Sequence, residues 1–299
     1  MLRKEKTHYH KLKDSLAHRH EDIRKKVWDK HSVQLTDIAN NAKQVAMGSV
    51  GGLMLLTSPA NNIAVLPDHQ VIDEVQAIDL DKNVFFISDL SESLPDDVRP
   101  LTVAEEKKIT ELLTTHYSIP VYAEKDGKRL NRSYGYIGAE QHLARYPGDT
   151  MDTHFDNPED AAKYWSSGMA PGLGAWGYFV PGGQKMTDQD VQREKYYIAV
   201  QTFLSPNFKE KISEYRDFYK FKKMLVVNPD NGKAVVAVIG DAGPAQWTGK
   251  SLGGSPEVMK YLERVDGKAK GAVLYFFVDD PDDTIPLGPI EAPVPVASN

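Results

Sequence analysis

The chain has 299 residues, 41% of them hydrophobic and 26% charged, with a formal net charge of −6 and no cysteine. That length suits one or two domains with real cores, and the missing cysteines exclude thiol chemistry, Cys-ligated zinc and disulfides. Residues 1–44 hold eleven Lys/Arg against six Asp/Glu, so this head carries +5 and the remaining body −11. An acidic body lacks the basic face that phosphates need, which argues against a nucleic-acid partner.

In chain order, the spacing predicts a charged helical head over 8–44, centred on "DSLAHRHEDIRKKVWDKH". His8, His10, His18 and His20 cluster there, but no Cys, Asp or Glu completes a ligand set at usual spacing. They read as a solvated basic face, and no metal or cofactor is expected. The run "VAMGSVGGLMLLTSPANN", 45–62, follows, and is free of charge from Val45 to Thr57. Its apolar centre covers about half to two-thirds of a bilayer span. Positive head, apolar run and small-residue exit form the layout of an export signal or an inner-membrane anchor, with the head cytoplasmic. The alternative is a helix buried in a globular domain. The expected location is the cell envelope or outside the cell.

Residues 63–101 alternate short apolar runs ("NIAVL", "VFFISDL") with Pro and Asp and read as strands and loops. "TVAEEKKITELLTTHY", 102–117, has a capping-box pattern from Thr102 to Glu105 and apolar residues at helical spacing. Turns are expected at Asp126-Gly127 and Pro147-Gly148, and short strands from about 174. The tail, 281–299, contains five prolines and reads as an extended end.

"AVVAVIGDAGPAQWTGKS", 234–251, ends in Gly249-Lys250-Ser251 and looks like a phosphate loop. Such a loop needs four residues between its first glycine and Gly-Lys-Ser, because a fixed number of N–H groups must wrap the phosphate. Here five residues separate Gly243 from Gly249, and one of them, Pro244, has no N–H to give. No helix opens directly behind it either, so a nucleotide is excluded.

The surrounding residues make a different ordered set. "MLVV" is a strand, "NPDNGK" a tight turn with Asn231-Gly232 at its tip, and "AVVAVI" the paired strand. Gly240-Asp241-Ala242-Gly243-Pro244 is a strand exit, "SPEVMKYLERV" a helix capped by Ser255 with Pro256 in its first turn, and "GAVLYFFV" a last strand. This order resembles the double-psi β-barrel of the rare lipoprotein A family and of expansins, where a strand–Asn-Gly–strand hairpin leads to Asp-x-Gly-Pro and a short helix. "GLGAWGYF", 172–179, is similar to the family's opening strand. The chain departs from the pattern in two places. "EKYYIAVQTF" lacks the family's histidine, and the segment after Pro244 lacks its second acid.

The expectation is an α+β chain whose C-terminal six-stranded double-psi β-barrel follows an α-rich N-terminal region. Its parts are a head and apolar segment (1–62), a mixed accessory region (63–171), the barrel (172–280) and the tail (281–299). The resemblance implies action on peptidoglycan glycan strands in the manner of a lytic transglycosylase, with Asp241 as general acid/base. Its alternative is a non-catalytic, expansin-like module that binds wall glycan. On the residues alone, Asp241 also fits a turn-forming Asp that accepts N–H bonds within its own loop. Asp152, Asp156 and Asp188 are available as a second carboxylate, and His154 as a replacement for the missing histidine. Tyr178, Trp176 and Trp247 offer aromatic faces on which sugars stack, beside the Gly243-Pro244 loop. The expected partners are peptidoglycan or another wall glycan, and a membrane through the apolar run.

Overall fold

The computed structural model describes residues 82–180, 182, 184–264 and 271–292. The charged head, the apolar run of 45–62 and "NIAVL" lie outside the described residues. Among those described, no helix is long and apolar enough to cross a membrane.

The first described element is a helix, α1 (82–93), where "VFFISDL" was expected to be a strand. Phe86 and Leu90 are buried four residues apart, and Leu94 packs half-buried in the same cluster. A spacing of four lines one helical face, which a seven-residue apolar run conceals. Phe85 lies off that face and is 48% exposed.

Helix α2 (Val103–Tyr117) starts at the expected capping box. Thr102 Oγ1 accepts from the Glu105 amide at 3.3 Å, and Glu105 Oε2 accepts from the Thr102 amide at 2.7 Å. Its buried face is Ile109, Leu113 and Tyr117, and the Tyr117 hydroxyl donates to Gly232 O at 2.6 Å. That bond ties the helix to the tip of the central hairpin.

Short strands β1 (Val121–Tyr122), β2 (Glu124–Lys125) and β3 (Lys128–Arg129) precede β4 (Tyr134–Ala139). Helices α3 (Met151–His154), α4 (Pro158–Tyr164) and α5 (Asp188–Lys195) lead to β5 (Tyr197–Val200), and α6 (Ile212–Tyr219) to β6 (Lys223–Val227). Strand β7 (Ala234–Ala242) is followed by β8 (Leu252–Gly254), α7 (Pro256–Tyr261), β9 (Gly271–Val278) and β10 (Gly288–Ile290). Ser255 caps α7 as expected, accepting from the Val258 amide.

Six of these strands close a barrel. Strand β9 pairs antiparallel with β4 and β6, β6 with β7, and β5 with β8, while β4–β8 and β5–β7 run parallel. Strand β1 extends β9 antiparallel, and β10 extends β7.

The alternation of side chains explains why β6, β7 and β9 read as continuous apolar runs. Met224, Val226, Val235, Ala237, Ile239, Val273, Tyr275 and Phe277 share one cluster with Ile137, Ile198, Val200 and Leu252. The intervening Leu225, Val227, Val236, Leu274, Phe276 and Val278 pack with α1 and α2 in a second cluster. These strands are buried on both faces, inward in the barrel and outward under a helical layer, so no polar alternation survives.

Three expectations are corrected here. Residues 172–179 form a turn, not the opening strand, and the first barrel strand is β4, about forty residues earlier in the chain. The barrel therefore runs from 134 to 278 rather than from 172. The tail is not wholly irregular: Gly288–Ile290 pairs with Val236–Ala234 as an edge strand, where Pro289 is tolerated.

Candidate functional site

Strand β7 ends on a bulge. Along its parallel partner β5, Ile198 pairs with Ile239 but Ala199 with Asp241, which leaves Gly240 as the extra residue. A Cβ on Gly240 would lie 2.6 Å from Tyr197 Cβ, so only glycine lets the strand pass there. The bulge re-aims the residue that follows it, Asp241.

Asp241 is half-buried. Its Oδ1 accepts two backbone N–H groups, from Ala175 at 2.6 Å and Ala242 at 2.7 Å. Among the described residues, Oδ2 receives no hydrogen bond. The loop-anchoring role and an available oxygen thus coexist in one carboxylate. Burial pushes the Asp241 carboxyl above its usual range, against the pull of the two amides.

A second acid, Glu140, leaves the end of β4, its amide bonded to Gly254 O at 2.8 Å. Its side chain lies across Gly253, where a Cβ would fall 2.2 Å from Oε1. Lys250 Nζ sits 3.2 Å from that oxygen and donates to Ala139 O at 2.8 Å. Burial raises the Glu140 carboxyl, the Lys250 ammonium opposes the rise, and the charge of Asp241 adds to it. The lysine of the phosphate-loop look-alike therefore faces a carboxylate.

Sequence reasoning missed Glu140. The signal available was the strand pattern "YGYIGA" immediately before it, which places Glu140, like Asp241, at a strand exit.

Between Asp241 and Lys250 the chain makes a short 3-10 turn, Gln246–Thr248, carrying Trp247 at 89% exposure. Buried Gln201 fixes both ends of this loop, its Nε2 donating to Pro244 O at 3.0 Å and to Lys250 O at 3.1 Å. Gly243 and Pro244 thus belong to a held loop. Trp176 is half-buried against the barrel core, with Nε1 donating to Ile239 O at 3.0 Å, and Tyr178 is half-buried in the same turn.

Asp152, Asp156 and Asp188 are exposed. Asp156 stands 3.6 Å from Arg145, and Asp188 opens α5.

His154 is 4% exposed and belongs to another group. Its Nδ1 is 3.0 Å from Asp149 Oδ2 and its Nε2 3.0 Å from Glu194 Oε2. Burial would lower the imidazole, but these two hydrogen bonds prevail and hold it at about 9. Burial likewise opposes ionisation of Asp149, yet bonds from His154 and Arg145 keep its carboxyl at about 2. Among the described residues, His142, His154 and Glu194 are the set of side chains able to share a metal ion.

An open cleft of about 660 Å3 lies between α2 and 120–129. Its best-placed acid is already committed: Glu106 accepts from Arg129 at 2.9 and 3.0 Å and from Ser133 at 2.8 Å. Asp241 and Glu140 stand at strand ends with carboxyls raised above their ordinary range, and neither lines that cleft.

No protein-family model, curated protein or solved structure matches the chain. The reading of the site therefore rests on its own chemistry.

Proposed function

We propose that the protein acts on the glycan strands of peptidoglycan, breaking a glycosidic bond in the manner of a lytic transglycosylase, with Asp241 as the acid/base. The observation that carries this reading is the divided Asp241 carboxylate. One oxygen is anchored by two amides, while the other receives no hydrogen bond from the described residues, on a group whose burial favours the protonated form. A glycosidic oxygen needs a proton as it leaves, and a carboxyl raised above its usual range holds one more readily for it.

In a transglycosylase the attacking group is a hydroxyl of the sugar itself. Asp241 gives its proton to the leaving oxygen and receives the one released when that hydroxyl bonds to the anomeric carbon. The electron pair of the broken bond stays with the leaving oxygen, so one carboxyl completes the cycle. The barrel's two parallel pairs, β4–β8 and β5–β7, are compatible with the double-psi type. The envelope location proposed for the protein fits such a substrate.

A second reading, an expansin-like module that binds wall glycan without cutting it, is favoured by Trp247. Its ring stands in solvent on a loop fixed at both ends, and a stacking platform needs no acid.

Incubation of the purified chain with peptidoglycan separates the two. Release of anhydromuropeptides by the wild type, lost in Asp241→Asn while the variant still sediments with the polymer, supports cleavage. Sedimentation without release assigns the binding role. Neither sedimentation nor release overturns both.

A further inference from the structure

Behind the barrel end lies a buried polar group that the glycan chemistry does not use. His142 is wholly buried, and both of its ring nitrogens lack a hydrogen-bond partner among the described residues. Its Nδ1 stands 3.5 Å from Glu194 Oε1, close enough to feel the charge but not aligned as a hydrogen bond. Glu257 is also buried, and its Oε2 is likewise unpartnered. Leaving a buried polar group unsatisfied costs about 1–3 kcal/mol, so two orphans beside one carboxylate pair require something to satisfy them.

The geometry suits an ion. The ligand atoms of His142, His154 and Glu194 all lie within 4.8 Å of one another. Tetrahedral bonds of about 2.1 Å would set ligand atoms about 3.4 Å apart. His142 Nδ1 is 3.5 Å from Glu194 Oε1, which also accepts from the Leu143 amide at 3.0 Å, and His154 Nε2 is 3.0 Å from the other oxygen, Oε2, so the carboxylate faces both imidazoles. Beside the three ligands lies a cavity of about 10 Å3, room for roughly one water, whose wall includes His154, Glu194, Glu257, Arg145 and Lys195 but not His142.

The outer layer fits as well. Asp149 takes the other nitrogen of His154 at 3.0 Å, the arrangement that orients metal-binding imidazoles. The nearby cations are neutralised by their own acids, Arg145 by Asp149 at 3.2 Å and Lys195 by Asp160 at 2.6 Å.

We propose that His142, His154 and Glu194 form a buried structural site for a divalent transition ion of the zinc type, a water completing its four-coordinate shell and Glu257 standing across the adjoining cavity as an outer partner. Nitrogen and carboxylate donors without thiolate suit such an ion. The site joins the exit of β4, helix α3, helix α5 and helix α7, so it clamps the segment between the first and second barrel strands.

The test uses the full chain, stripped with a chelator and titrated with Zn2+ by calorimetry. One equivalent is expected, with a Tm that climbs as Zn2+ is added. Glu194→Gln and Glu257→Gln, which keep side-chain shape, should each weaken binding at least tenfold and flatten the rise in Tm. A folded wild type that takes up no Zn2+ and keeps its Tm overturns the site. So does uptake unchanged in both variants, which would place the ion elsewhere. Should both variants fail to fold, Co2+ on the wild type decides. Intense four-coordinate visible bands support the site, and weak six-coordinate bands overturn it.

Discussion

Asp241 divides its two oxygens between structure and chemistry, and a pH series reads the two roles apart. Its carboxyl is raised, so the folded chain holds that proton more tightly than the unfolded chain. The associated stability is present below the unfolded value and is lost as pH rises through the folded one. Asp241→Asn copies the protonated form. We expect its Tm to equal the wild type's near pH 4 and to match or exceed it at pH 7, measured by scanning calorimetry. A variant markedly weaker at pH 7 would make the ionised carboxylate an anchor and nothing more. On peptidoglycan the same variant should lose about 10²–10⁴ in rate, the usual contribution of a positioned acid. Gly253→Ala probes Glu140 in the same way. The added Cβ meets the flexible Glu140 side chain rather than backbone, so the chain should fold while the Lys250 pair breaks. The displaced Glu140 loses the burial that raises it most, so its carboxyl should fall back toward the ordinary range, followed by carboxyl NMR.

Among the elements, those written locally were the ones legible in the sequence. The Thr102–Glu105 box, the Asn231-Gly232 hairpin, the Ser255 cap and the final strand each depend on residues a few positions apart, and each stands as read. The capping box gives a direct check: Thr102→Ala should cost about 1 kcal/mol, lowering Tm by about 2–4 °C. What sequence could not disclose was set by distant partners. Glu140 meets Lys250 across 110 residues, and the turn at 172–179 resembles a strand because Trp176 packs inward from it. The short run in α1 carries no period of its own, and its partners in the outer cluster decide it. Gly240 is a similar case, ordinary in sequence and forced by Tyr197 in space. Gly240→Ala should destabilise by about 1–3 kcal/mol through overpacking, visible as an earlier denaturant midpoint with unchanged slope.

At the scale of the molecule, the barrel's stability should follow its double burial. Amides of β6, β7 and β9, enclosed by clusters on both faces, are expected to exchange with solvent at the global unfolding free energy, whereas those of β2 and β3 exchange early. Fast exchange in β7 would contradict the closed ring. The chain order also has a practical side. Strand β4 comes from the far side of Pro171, Gly172 and Leu173, a solvent-facing stretch, and slots between β8 and β9. A polypeptide severed there becomes two halves, one donating a single stave and the other five. Neither half should be soluble by itself, yet mixing them ought to regenerate the fold without a covalent link, a natural basis for a two-part reporter.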